Sequence, residues 1–248
     1  DYSGIADGLS KALAGGKADS LPGFGKLMRE LSAEARRRGI RIGCVGYSEG
    51  YGAQWYAEDG PKFENRRSYP DGEVYDCFGL SDGSPQVRMG TCLANDALME
   101  LKKKNFAEFV RATEPGFVYV HGADISWMCE MTEAWSNRCA ACRKRWPNES
   151  TTAPDGAPKA FAHLYDSLYE AMASVKNPVS GYDAARDCIF YATAPNYGAY
   201  WETDEEWDYH VDYFSQLGKC LKHKDIRMVL REQYVGDDGK LRFEKLRA

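Results

Sequence analysis

The sequence has no excess of positive charge, no long apolar run, no internal repeat and no low-complexity tract. Its 32 basic residues are outnumbered by 37 acidic ones, for a net charge of −5. That balance argues against a nucleic-acid or anionic-membrane surface, because both need a basic face. No apolar stretch approaches the roughly 18 residues a membrane-spanning helix requires, so membrane insertion is not expected. The chain opens at Asp1 without a methionine or a signal-like segment. This reads as a processed protein or as a piece of a longer polypeptide carrying additional domains. Small neutral or polar partners are the expectation.

What is present points to a folded domain. With 248 residues and 44% apolar content the chain can bury a full core, and residues 1–248 are read as one large α/β domain. Eight cysteines are many for a cytosolic protein of this size, and their even number permits disulfides and export. Aromatic residues reach 13%, with 16 Tyr and 6 Trp, more than such a core demands. Some of these rings should line a pocket, where an apolar face with a polar tip is useful.

The periodicity predicts four helix-then-strand units. "LPGFGKLMRELSAEARRRG" spaces Phe24, Leu27, Leu31 and Ala35 as a helix, gathers arginines in its last turn and stops at Gly39. "IRIGCVG" follows as a strand buried on both faces. "NDALMELKKKNFAEFVRATEPG" puts Leu98, Leu101, Phe106, Phe109 and Val110 on one side, with Asn95 or Asp96 as cap, and feeds "FVYVHGAD". Phe161, Leu164, Tyr165, Leu168, Tyr169, Met172 and Val175 form a third stripe before "DCIFYATAP". The fourth helix opens at "TDEEW", with Thr203 and Glu206 as a capping box, turns Trp207, Val211, Phe214 and Leu221 inward, and leads to "IRMVLREQ".

Apolar strands separated by helices imply a parallel sheet joined by crossovers. The long polar segments, 48–84, 125–158 and 195–203, each follow a strand and none follows a helix. That asymmetry predicts a (β/α)8 TIM-barrel type fold, whose site is built from loops at the carboxyl ends of the strands, with a doubly wound open sheet as the alternative. Four strands are evident, five with "PQVRMGT", against the eight of a closed barrel. Either the rest lie within the loops or the chain is an incomplete or excised part of a barrel.

On the barrel reading the strand-end residues share one mouth: Tyr47, Ser48 and Glu49; His121 and Asp124; Tyr191, Asn196 and Tyr197; Arg231, Glu232 and Gln233. Carboxylates with aromatic platforms are what glycosidic bond cleavage uses, one acid protonating the leaving oxygen and a second group stabilising the sugar cation. Taken singly, each also fits a structural role, since Asp after a strand often caps a helix and His often completes a core hydrogen bond.

"EARRRGIRIGCVG" and "CLANDALMELKKKNFAEFVRATEPGFVYVHGADISW" resemble the barrel of family 20 glycoside hydrolases, the β-N-acetylhexosaminidases, over roughly the first half of the chain. In that family one strand follows Arg-Gly-Ile and a later one ends in His-x-Gly-Gly-Asp-Glu. Gly122, Ala123 and Asp124 match Gly-Gly-Asp, Val120 stands in place of the His, and Ile125 stands in place of the general-acid Glu. The family's Pro-Glu on the first strand is Cys44-Val45 here. The resemblance implies that Asp124 orients an acetamido group that itself acts as nucleophile. It supplies no general acid, because isoleucine has no proton to donate.

Other acids are at hand: Glu130 and Glu133 after Asp124, Glu49 in the glycine-flanked "YSEGYG", and Glu232 beside Arg231, which would hold it ionised. Glu49 and Glu232 rank next to Asp124. Tyr197, Tyr200 and Trp201 in "PNYGAYWETDEEWDYH" could stack on a sugar ring or pack on the neighbouring helix. Within "CEMTEAWSNRCAACRKRW", Cys129, Cys139 and Cys142 include a Cys-x-x-Cys half-site for zinc that lacks a fourth ligand, and a disulfide or reduced thiols are favoured over metal. The basic residues after Cys142 should form a solvated helix face. Cys44 and Cys188 should be plain buried thiols in strands.

The expectation is therefore a bacterial glycoside hydrolase, secreted or periplasmic, acting on glycans whose sugar carries an N-acetyl group. Asp124, Glu49 and Glu232 are its catalytic candidates, and His121, Tyr47, Tyr191, Tyr197, Tyr200, Trp201 and Arg231 its substrate contacts. This chemistry needs no cofactor or metal. The alternative is a noncatalytic carbohydrate-binding barrel that has lost its acid.

Overall fold

The computed structural model describes residues 22–48, 76–79, 88–121, 131–132, 135–136, 138–193 and 204–229. All four expected helix–strand units are there. Helix α1 (Pro22–Arg37) precedes β1 (Gly43–Ser48). After the antiparallel pair β2 (Asp76–Gly79) and β3 (Arg88–Thr91), α2 (Asp96–Thr113) feeds β4 (Phe117–His121). A short α3 (Ala140–Arg145) is followed by α4 (Ala157–Ala173), the two-residue strands β5 (Lys176–Asn177) and β6 (Tyr182–Asp183), α5 (Ala184–Asp187) and β7 (Ile189–Thr193). Finally α6 (Asp204–Cys220) leads to β8 (Arg227–Val229).

Helix α1 ends where its sequence says it must. Gly39 adopts φ 72°, and the amides of Gly39 and Ile40 bond back to the carbonyls of Arg36 and Ala35. This closes a Schellman turn that a side chain at Gly39 would strain.

The four principal strands form one parallel sheet in the order β1-β4-β7-β8. Spatial order follows chain order with no reversal. Right-handed crossovers that always advance the same way put their helices on one face, and α1 packs on α2, α2 on α4, and α4 on α6 in turn. The segment "PQVRMGT" contributes β3 to the separate antiparallel pair, so it is not a fifth strand of this sheet. Its partner β2 lies inside what the sequence presents as one long polar segment. No described helix is long and apolar enough to cross a membrane.

The helix-facing side of the sheet is the core. Val118, Val120, Phe190 and Ala192 are buried there, and the ring of Phe190 meets Phe106 of α2 and Tyr165 and Tyr169 of α4 at 5.9–6.5 Å. From α4, Phe161, Leu164, Tyr165, Leu168 and Met172 are buried as their spacing predicts, and Tyr169 is half-buried. On α6 the buried positions are His210, Tyr213, Phe214 and Leu217, while Val211 is half-buried. The opposite face of the sheet, with Phe117, Tyr119, Ile189 and Tyr191, is only half-buried rather than sealed.

One expectation about α1 is corrected. Leu27 and Leu31 do not face the core: they are 52% and 43% exposed. Helix α1 instead meets α2 through its small and cationic side, with Gly25 against Ala112, Arg29 donating to the Ala112 carbonyl at 2.7 Å, and Ser32 and Ala35 buried. Close approach of the two backbones selects small residues over leucine at that contact. The three long polar segments do follow strands, and a shorter insertion that the sequence did not mark, β5, β6 and α5, follows a helix, between α4 and β7.

That insertion is held by a buried polar node beneath the amino ends of the strands. Glu114, directly after α2, has φ 44° and is 1% exposed. Its carboxylate accepts from Asn177 at 2.6 Å, Ser180 at 2.9 Å and Arg36 at 3.5 Å, and its carbonyl accepts from Arg36 at 2.8 Å. The Arg36 guanidinium also lies 5.0 Å over the ring of Tyr182, whose hydroxyl donates to the Pro115 carbonyl.

Glu114→Ala should destabilise by about 3–5 kcal/mol, the cost of stripping one partner from a buried pair. Glu114→Gly should recover about 1 kcal/mol of that by relieving the left-handed backbone. Urea unfolding of the two variants checks both, and equal stabilities would contradict the strain argument. A second prediction comes from His210, 2% exposed on α6, whose burial pushes its imidazole down to about 4 from 6.5. The unfolded chain takes up this proton near 6.5 and the folded chain resists until about 4, so stability is complete above that window and lost as pH falls through it. The expected slope is about 1.4 kcal/mol per pH unit. Burial lowers His163 in the same direction. Chemical denaturation across this range should show a shallower slope for His210→Gln than for the native chain.

Candidate functional site

The parallel register aligns the carboxyl ends of the strands along one edge. Ser48 pairs with His121, Tyr47 and Ala192 both pair with Val120, and Thr193 pairs with Val229. A register shift between Val45 and Tyr47 lets β1 reach the same level as β4. Tyr47 and His121 therefore stand at neighbouring strand ends, as expected. Tyr191 does not: it pairs with Tyr119 and Arg227 in the middle of β7, and its ring lies 5.9 Å from Phe117, the first residue of β4. Residues two apart share a strand face, so Tyr191 and Phe117 meet diagonally across the half-buried side, and Thr193 is the residue that ends the strand. Asp124, Glu49, Glu232, Tyr197, Tyr200, Trp201 and Arg231 lie outside the described residues.

A second constellation joins segments that are distant in sequence. Cys139 stands just before α3 and Cys142 in its first turn, while Cys92 sits in the turn between β3 and α2. The Cys92 sulfur lies 3.4 Å from that of Cys139 and 3.7 Å from that of Cys142, and all three sulfurs fall within 4.8 Å of one another. Cys92 and Cys142 are buried and Cys139 is half-buried. These separations exceed the 2.03–2.05 Å of a disulfide bond, so of the two alternatives favoured from sequence, a disulfide or reduced thiols, this geometry presents the second. Cys129 lies outside the described residues. Cys188 is buried as expected but precedes β7 instead of lying within it.

The cysteine segment is anchored by charge. Arg138 is fully buried, holds both oxygens of Glu149 at 2.8 and 3.0 Å, and donates to the carbonyls of Trp135 and Trp146. Its guanidinium stacks 4.3 Å over the Trp135 ring, and the bidentate contact holds the Glu149 carboxyl below its ordinary range. A second tie runs from Arg145 of α3 to Asp96 at the start of α2 at 2.9 Å, and Arg143 donates to the Arg138 carbonyl. The exposed Arg143, Lys144 and Arg145 form the solvated face expected of them.

Nothing in the sequence links Cys92 to the Cys-x-x-Cys pair. Arg138 is equally hidden, since it reads as one more cation of a basic helix. Compared with known proteins, the chain matches no family model, no curated protein and no solved structure.

Arg138 and Glu149 differ sharply in exposure, 0% against 61% at their side chains, and this predicts an asymmetric response. Arg138→Ala orphans several buried carbonyls and should cost about 3 kcal/mol or more. Glu149→Gln, with its side chain mostly in water, should cost under about 1 kcal/mol. Comparable losses from both variants in equilibrium unfolding would show that the ion pair itself, and not carbonyl satisfaction, is the important contact.

Proposed function

We propose that this chain acts on glycans as a glycosidase, working at the carboxyl edge of a sheet of (β/α)-barrel type. The observation that carries the reading is the unreversed strand order with all four carboxyl ends on one edge. In the sequence Glu49 follows Ser48 directly, Asp124 comes three residues after His121, and Glu232 three after Val229. In chain order, three carboxylates thus come soon after three of the strands whose ends form that edge. Loops at this edge are where barrels build their sites. The half-buried aromatic face of Phe117, Tyr119 and Tyr191 is the kind of surface that would line the interior if further strands close the sheet.

In this mechanism Asp124 orients the substrate or stabilises the developing sugar cation. The proton for the leaving oxygen comes from Glu49 or Glu232, because Ile125 occupies the position where the resembled family carries its acid. His121, Tyr47, Arg231 and the aromatic segment with Tyr197, Tyr200 and Trp201 supply substrate contacts. Action on glycans outside a bacterial cell fits a cysteine-rich, acidic chain of this kind. Ile125 also favours a second reading, a carbohydrate-binding domain without turnover.

Hydrolysis of aryl N-acetylhexosaminides, followed by released phenol, separates the two. The native chain should turn over, and Asp124→Asn, Glu49→Gln or Glu232→Gln should lower the rate by about 10²–10⁴ if the residue carries acid–base chemistry. Saccharide binding by calorimetry with no turnover would establish the binding reading. Neither binding nor turnover across a glycan panel would remove both.

A further inference from the structure

The three sulfurs beside α2 and α3 play no part in the strand-edge chemistry. We infer that Cys92, Cys139 and Cys142 bind a zinc ion as thiolates, fastening the segment that follows β4 to the amino end of α2. This does not rest on the glycan reading.

Distance is the first argument. A zinc–sulfur bond of about 2.3 Å at the tetrahedral angle places ligand sulfurs about 3.8 Å apart. The pairs Cys92–Cys142 at 3.7 Å and Cys92–Cys139 at 3.4 Å lie close to that edge, and the third falls inside 4.8 Å. Three ligands therefore sit near the corners of one tetrahedral face before any ion is considered.

Clustering is the second. Side chains of five cysteines are described, and three of them converge on this one point from two chain segments. Thiols that serve only as small apolar groups have no reason to collect in one place. A disulfide could pair two of the three and would leave the third odd. Soft sulfur donors at tetrahedral spacing instead select zinc, which brings no redox chemistry of its own.

The surroundings are arranged for it. The Arg145–Asp96 pair, the Arg143 contact to the Arg138 carbonyl and the Arg138 fork onto Trp135, Trp146 and Glu149 fix both segments independently of metal. Zinc with three thiolates carries a net charge of −1. Each thiol gives up its proton on coordination, so binding strengthens as pH rises. A helix that follows a strand in a crossover runs back antiparallel to the sheet, which puts the amino end of α2 on the carboxyl-edge side. The segment carrying Asp124 starts from that same edge, so the ion would tie down the return of a chain that leaves the proposed site.

The test is zinc itself. The native chain, purified without chelator, should hold about one zinc per chain, and replacement by cobalt should give the visible spectrum of tetrahedral thiolate coordination. X-ray absorption should find sulfur at about 2.3 Å. Cys92→Ser, Cys139→Ser and Cys142→Ser should each weaken zinc binding by more than about a hundredfold, the most that loss of an outer-shell partner brings, while Cys188→Ser retains it. Should a serine variant fail to fold, mass-mapped alkylation of the native protein gives the answer: Cys139 should be protected until a chelator is added and react afterwards. Absence of tight zinc binding, a disulfide among the three, iron in place of zinc, or Cys139 alkylation indifferent to chelator would each overturn the assignment.

Discussion

The buried carboxylate of Glu114 is the constraint on which the rest of the described structure depends. It sits where α2 must stop and β4 must start, and it makes the transition by accepting a left-handed backbone that few residues with a side chain adopt. The same carboxylate collects Asn177 and Ser180 from the insertion before β7, and Arg36 from the end of α1. Three elements that approach the sheet from different parts of the chain are thereby set at one height. The strands they feed begin in register: Gly43, Phe117 and Ile189 pair across β1, β4 and β7.

From that level start, the register shift in β1 between Val45 and Tyr47 sets Ser48 opposite His121 at the carboxyl ends. The edge bearing Tyr47, Ser48 and His121 lies at the opposite end of the strands from the polar node. Between the two lies the apolar layer centred on Phe190, which meets rings from both α2 and α4. A rigid layer of this kind transmits position without itself taking part in chemistry. Polar residues make the foundation and apolar residues the layer above it.

The thiol cluster follows a different logic. Two of its thiols lie at the start of a short helix, since α3 has only six residues. This segment is seated in the core through Met131, Trp135 and Trp146, all buried. Arg138 compensates by satisfying backbone carbonyls that a longer helix or strand would have satisfied internally. Metal coordination at Cys92, Cys139 and Cys142 would extend the same principle, adding directed bonds to a short segment.

Sequence alone determined the four helix–strand units, the stop at Gly39, the buried stripe of α4 and the solvated basic face of α3, because each is written in spacing within a few turns of chain. It misplaced Leu27 and Leu31, since a 3.6-residue period marks an apolar face but cannot say that a neighbour will approach through Gly25 and Ala112 instead. It also set Tyr191 at a strand end, where two residues of register, invisible in one strand taken by itself, put it in the middle of the sheet. Only the tertiary structure brought Cys92 to Cys139 and Cys142, buried Arg138 and gave Glu114 its four contacts. Contacts between residues far apart along the chain are fixed by how the elements pack together, and local pattern carries no record of that.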